Sequence, residues 1–296
     1  MNYSTIGAAI GGAKGAKLVA PLRLTNTGDS EATVSFEDVD ETGTTLKTRS
    51  AAAPEWADWD MSEITLQPGE YIEICGENQE AGGFLGQFSM TGTIAASGSI
   101  MSMVYGEKTN EQNQLIIPYS KAFGGSNDNS GLFYVCTSLV AAPELPATQL
   151  ADYCYCEMFQ GCTSLVNAPE FHATQLAYSC CSDMFNGCTS LVAAPELPAT
   201  QLANSCYLEM FIGCTSLVAA PELPATQLVD NCYSSMFEGC SSLNFVRVAF
   251  ADWGDDFTDT WLDGVAAEGT FTCPAGLDTT TRDASHVPAD WTVVNA

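Results

Sequence analysis

The stretch CTSLVAAPELPATQLADYCYCEMFQG begins at Cys136 and returns with few changes at Cys162, Cys188 and Cys214. A fixed period in the twenties builds a solenoid. One such unit is too small to bury its own apolar side, so its Leu, Met and Phe positions become a core only when copies stack on one another. The repeat therefore predicts a ladder of 26-residue rungs, an architecture that presents surface.

Within a rung, chemistry assigns the parts. Leu139, Leu165, Leu191, Leu217 and Leu243 form one inward column on the strand side, and Leu150, Leu176, Leu202 and Leu228 form a second after the turn. The pairs Met158-Phe159, Met184-Phe185, Met210-Phe211 and Met236-Phe237 close each rung on a short helical turn. Gly161, Gly187, Gly213 or Gly239 then permits the sharp return to the next strand. Prolines at 143, 169, 195 and 221 shape the corner and exclude long helices.

Nine of the thirteen cysteines fall into two columns, Cys136, Cys162, Cys188, Cys214 and Cys240, then Cys154, Cys180, Cys206 and Cys232. Side chains of one column point the same way and meet the disulfide torsion poorly. They are read as reduced, buried packing residues, since free Cys behaves as a small hydrophobe. Zinc would need ligands gathered about one point, whereas these spread along an axis.

Around the repeats, four regions are expected. Residues 1–18 are a Gly- and Ala-rich arm, with Ile6, Ile10, Lys14 and Lys17 as its anchoring residues; residues 19–105 are a small β-domain; 106–250 are the solenoid; 251–296 are a C-terminal cap. Alternation at Leu22/Leu24, Val34/Phe36, Ile64/Leu66 and Ile72/Ile74 is strand periodicity. Pro68-Gly69 suits a type II turn and predicts a hairpin between ITLQ and EYIEIC. Trp56 and Trp59 are read as core or rim of this β-domain, with a carbohydrate platform as the sharper alternative. FSMTGTIAASGSIMSMVYG leads into the repeats as first rungs or N-terminal cap, and an imperfect rung follows through Ile117, Phe123, Leu132 and Phe133. In the cap, Thr258 or Asp259 is placed to start a helix through TWLDGVAA, and GTFTC and DWTVV read as strands.

With 36 Asp plus Glu against 9 Lys plus Arg, the net charge is −27, and no Lys or Arg occurs between Lys121 and Arg247. Binding to phosphate backbones or anionic lipid requires cations, so nucleic acid and anionic membrane surfaces are excluded as partners. No apolar run approaches the roughly 20 residues of a membrane span. The opening MNYSTIGAAIGGAKGAKLVAPL lacks a basic n-region, and Lys14 and Lys17 interrupt its mildly apolar stretch, so the chain is expected to begin its life in a cytoplasm.

The unit C-T-S-L-x-x-A-P-E-L-P-A-T-x-L-A-x-x-C-Y-x-x-M-F-x-G-C resembles the BspA-like leucine-rich repeats of surface proteins from gut bacteria and some of their phages. The resemblance covers Cys136 to Leu243 closely and extends to the flanking PLRLTNTGDSEATVSF, LQPGEYIEICG and VPADWTVV. It implies a mainly β protein with short helical turns, built as a right-handed leucine-rich-repeat solenoid and used for adhesion without catalysis. Without an export signal, the expected role is a virion structural or binding protein, such as a head fibre, decoration or tail-associated adhesin assembled in host cytoplasm. Its partners would be other virion proteins through the arm and a host-surface protein or glycan, with homo-oligomerisation left open. The alternative is a secreted bacterial cell-surface adhesin.

Few residues suggest chemistry. Glu144, Glu170, Glu196 and Glu222 recur at one rung position and read as a solvated acidic edge, because calcium needs six or more converging oxygens and a column supplies a line. Asp252, Asp255, Asp256, Asp259 and Asp263 lack EF-hand spacing and read as cap surface. The two histidines, His172 and His286, carry no recognisable nucleophile or metal pattern, so no catalytic residue, metal site or cofactor is expected. Positions that differ between otherwise constant rungs are the candidate partner surface: Tyr153, Tyr155, Glu157, Tyr178, Asp183, Tyr207, Leu208, Ile212, Tyr233 and Glu238. Exposed tyrosines offer large amphipathic contacts, and drift on a solvated face is the competing reading.

Overall fold

The computed structural model describes residues 18–38, 43–79, 86–106, 109–110, 115–117, 122–124, 131–254 and 257–296. The arm residues Ile6, Ile10, Lys14 and Lys17, and Asp255 and Asp256 of the acidic run, lie outside these. The described chain is mainly β, and its one α-helix is the single turn α1, Ser102–Tyr105.

Eight short strands come first: β1 (Leu22–Asn26), β2 (Ala32–Glu37), β3 (Leu46–Ser50), β4 (Ala57–Trp59), β5 (Ile64–Leu66), β6 (Tyr71–Cys75), β7 (Gln87–Met90) and β8 (Ile94–Ser97). Alternation does what its period requires in β1 and β2, since Leu22, Leu24 and Val34 are wholly buried while their neighbours are more exposed; in β6 the run Ile72–Cys75 is buried throughout. The strands form a three-stranded sheet, β5-β2-β7, and a six-stranded sheet, β4-β3-β6-β1-β8-β9, where β9 is Leu139–Ala141 of the first regular rung. On the larger sheet, Arg23 of β1 and Arg49 of β3 flank Glu73 of β6, and both reach its carboxylate.

The turn at Pro68-Gly69 forms, with Gly69 at φ 81° and Glu70 N–H donating to the Gln67 carbonyl at 2.9 Å. It is not a hairpin. β5 pairs with β2, whereas β6 pairs with β1 and β3, so the turn carries the chain from one sheet to the other. Trp59 is buried against Phe36 and donates its indole N–H to the Ser62 carbonyl at 2.9 Å. Trp56 lies under the Arg49 guanidinium, 4.5 Å from its ring centroid. The two rings therefore do not share an open platform.

β8 pairs with β9 in parallel, and Phe88 stacks on Phe133 with centroids 5.3 Å apart, so the lead-in segment occupies the place of a preceding rung. Beyond it the C-terminal region is a parallel β-solenoid. Its regular strands β10 (Ala219–Leu223), β11 (Phe245–Val248), β12 (Thr270–Cys273) and β13 (Thr292–Asn295) lie side by side in sequence order. Parallel bridges such as Leu145 to Phe171 and Asn167 to Ala193 continue the ladder through the rungs before them.

The Met-Phe side of each rung is not helical. Alternate N–H groups reach sideways to the next rung, Tyr155 to the Cys180 carbonyl, Glu157 to Ser182 and Phe159 to Met184, each at 2.9 Å. The groups between them close tight turns within the rung, Cys156 to Tyr153 and Met158 to Tyr155, each at 3.2 Å. An N–H committed to a neighbouring rung cannot also donate an i→i−4 helix bond. The expected cap helix fails for the same reason: the Thr260 N–H donates to Ser285 Oγ and the Leu262 N–H to the Ala284 carbonyl, each at 3.0 Å, and Thr260 stands at φ 46°. The segment is one more rung, and GTFTC and DWTVV supply β12 and β13.

Stacked columns fill the interior. Phe133, Phe159, Phe185, Phe211 and Phe237 pile with successive centroids 5.5 to 5.6 Å apart and planes within 10°. Trp261 ends the pile; it is wholly buried, and its indole N–H donates to the His286 carbonyl. Leu139, Leu165, Leu191, Leu217 and Leu243 are wholly buried, while Leu176, Leu202 and Leu228 of the second column are half-buried at its margin.

All thirteen cysteines are free and buried. In the first column the four thiols from Cys162 onward donate to the backbone one rung back: Cys162 to the Phe133 carbonyl, Cys188 to Phe159, Cys214 to Phe185 and Cys240 to Phe211, at 3.0 to 3.1 Å. The same carbonyls accept their own rung's Cys N–H, as Phe159 does from Cys162 at 3.0 Å. Both lone pairs are thus used, a task that Ala or Val at these positions could not perform. Burial pushes the Cys136, Cys188 and Cys240 thiols up to about 12, so they stay protonated and keep the donor.

Candidate partner-binding surface

The rung turns sort the candidate residues by backbone conformation. Tyr153, Ser179, Ser205 and Asn231 form one column at φ 47 to 56°, and Glu157, Asp183, Glu209 and Ser235 form a second at φ 50 to 57°. The recurring glycines 161, 187, 213 and 239 form a third at φ 66 to 73°. L-residues seldom adopt this left-handed region, at a cost of about 1–2 kcal/mol each, and here the inter-rung hydrogen bonds hold them in it. In the first column Tyr153 is half-buried and Asn231 exposed while Ser179 and Ser205 are buried; the second column is half-buried throughout, and of the residues between the two all but Leu208 are buried.

That sorting overturns three of the candidates. Tyr155, Tyr207 and Tyr233 are buried at 0, 1 and 1% exposure. They are core residues: Tyr207 stacks on Tyr233 with planes 3° apart, and the Tyr155 and Tyr207 hydroxyls are buried without a hydrogen-bond partner among the described residues. In the rung between them the column holds Cys181, and the same rung carries Phe171 where Leu145, Leu197 and Leu223 stand in others. Phe171 is buried and meets Tyr155 edge-on at 6.4 Å. A small residue in one column is thus offset by a larger one in the facing column, which keeps the interior filled. His172, beside it, is exposed and lies 3.5 Å from Glu170.

The remaining candidates stay on the margin. Tyr178 is 47% exposed and meets the half-buried Tyr153 edge-on at 5.3 Å, while Asp152 accepts from the Tyr178 backbone N–H at 3.0 Å. Leu208, Ile212 and Glu238 are half-buried. Glu157, Asp183 and Glu209 follow one another down a column, and Asn186 donates to Asp183 at 2.9 Å. Burial first, and then the Asp183 carboxylate, raises Glu157 above the usual range and pushes Glu209 up to about 7. Near neutral pH the protonated Glu209 can donate to Asp183, so the column carries less charge than its composition suggests.

A second face was not among the sequence candidates. Along the strand side, Val166, Val192 and Val218 are 42, 47 and 49% exposed, immediately after the inward leucines. Two residues on come Ala168, Ala194 and Ala220, half-buried, and two further the exposed Glu170, Glu196 and Glu222. The signal was present: a residue that follows an inward Leu on a strand must face outward, however constant it is from rung to rung. The acidic run of the cap is solvated at Asp252, Asp259 and Asp263.

Among the described residues, no three His, Cys, Asp or Glu side chains converge as a metal would require, and no helix is long and apolar enough to cross a membrane. No family model, curated protein or solved structure matches this chain.

Proposed function

We propose that this chain is a non-enzymatic structural and binding protein of a phage particle infecting gut bacteria, a head fibre, decoration or tail-associated adhesin. On this reading residues 1–18 anchor it to other virion proteins, and BspA-like leucine-rich-repeat rungs are displayed toward a host-surface protein or glycan. The carrying observation is the division within each rung: inward columns repeat Leu, Cys, Met and Phe, while the margin presents residues that differ, as at Tyr153, Tyr178, Asp183 and Leu208. A stiff ladder with differing side chains on its margin suits recognition. The reduced, hydrogen-bonded thiol column supports folding in a reducing compartment, where phage particles assemble.

Immunogold labelling of purified particles tests the reading, with deletion of residues 1–18 as the companion variant. Label on intact virions, lost on deletion while the truncated protein still folds, is the expected result. Label confined to the bacterial envelope would replace the proposal with the cell-surface adhesin.

A further inference from the structure

We propose that the outward strand face of the rungs, with its valine column on one side and its glutamate column on the other, docks an extended basic segment of a partner protein. This deepens the binding role proposed above by naming the face and the chemistry of what it holds.

Val192 and Glu196 are both exposed on one rung and lie four residues apart, which puts the two columns at most roughly 13 Å apart at about 3.3 Å per residue. Between them the half-buried alanines leave a shallow floor. A segment lying along a rung, with an apolar side chain over valine, a small one over alanine and Lys or Arg four residues on, matches this face in both shape and charge. Successive rungs repeat the offer at about 4.8 Å.

The chain fills the last place of the glutamate column itself. Arg247 of β11 pairs in register with Glu222 of β10, its Nε 3.5 Å from the carboxylate, with both side chains more than half exposed. One rung earlier, among the described residues, Glu196 has no cation beside it. Arg247 is also the first Lys or Arg after Lys121, so the rungs between supply no Lys or Arg, and only the imidazole of His172 stands 3.5 Å from Glu170. A second copy of this chain is a poor occupant, because it would set glutamate columns against each other at a net charge of −27 per chain.

The probe is a fluorescein-labelled peptide of alternating Lys and Val, four of each, followed by fluorescence anisotropy at 0.15 M salt against the full-length protein. E170Q/E196Q should weaken binding at least tenfold and V192T/V218T at least threefold. E55Q/E63Q removes the same charge from exposed positions outside the rungs and should leave binding unchanged; melting curves confirm that each variant is folded. The Lys-Ser peptide of equal charge should bind at least threefold more weakly than Lys-Val. Equal weakening by E55Q/E63Q, equal binding of Lys-Ser, or no binding of Lys-Val would each overturn the proposal. The assay uses isolated protein, so its failure leaves the particle-labelling result standing, and the converse also holds.

Discussion

In the antiparallel strands, Leu24 faces a core assembled from residues of other types, brought in from strands far apart in sequence. In the rungs, Phe185 lies between Phe159 and Phe211, copies of itself, at 5.5 Å on either side. The first arrangement is fixed by which faces are apolar. The second also requires that each residue stack on its own kind and that its backbone donors reach the next rung. The difference explains why cysteine recurs where a plain apolar residue would pack: in a ladder its thiol has a defined carbonyl one rung away.

The hardest way to break the ladder is a charge at its middle. Met184 and Leu191 are wholly buried, so Met184→Asp or Leu191→Asp places a carboxylate without a partner and should destabilise the protein by about 4 kcal/mol or more. Hydrogen exchange should show protection lost first in rungs on either side, with β1 and β6 of the antiparallel sheet retaining theirs. Uniform loss across both regions would mean that they unfold as one unit.

Alkali gives the next largest effect. The column thiols are raised by burial, Cys136, Cys188 and Cys240 to about 12 and Cys232 to about 11, against roughly 8.5 when unfolded. Above the unfolded value the denatured chain binds fewer protons than the native one, so stability falls as pH rises. The loss is about 1.4 kcal/mol per pH unit for each thiol until its folded pKa is reached. Denaturant midpoints should be level between about pH 7 and 8 and decline steeply between pH 9 and 11. A flat profile there would mean that the thiols are not buried donors.

How far the sequence could be read differs between the two regions for the same physical reasons. Period-2 alternation located β1, β2, β5 and β6, yet it could not say that β5 and β6 belong to different sheets, because pairing is decided by distant strands. The 26-residue period located the first leucine column, both cysteine columns and the Met-Phe columns. It misled on the margin, where variation was equated with exposure: Tyr155 differs from Cys181 because Phe171 fills the space, not because either faces solvent. Only positions that vary were taken as partner surface, which left out the constant, exposed Val166, Val192 and Val218. The sideways hydrogen bonds that replace helical turns leave no mark in hydrophobic pattern.

Two smaller effects sharpen the division between core and margin. Tyr207→Phe removes a hydroxyl buried without a partner among the described residues and should raise stability by about 1 kcal/mol; a loss would mean that the hydroxyl has a hydrogen-bond partner. Glu209→Gln concerns the margin. With its carboxyl raised to about 7, wild-type stability from this group is full below roughly pH 4.3 and declines as pH climbs to 7. Discounted for its half-exposed setting, the gain from Gln at pH 8 should be about 1 kcal/mol, vanishing near pH 4. A variant less stable than wild type at pH 8 would contradict the crowded carboxylate column.

The most direct measurement is a thiol count with a chromogenic reagent, taken on native protein and again in denaturant, with no reductant at any stage. A native value near zero and a denatured value near thirteen are the outcome required by free, buried columns. A denatured count several short of thirteen would show cysteines tied in disulfides, and several reactive thiols in the native state would show columns open to solvent; either result would contradict the stacked, reduced ladder.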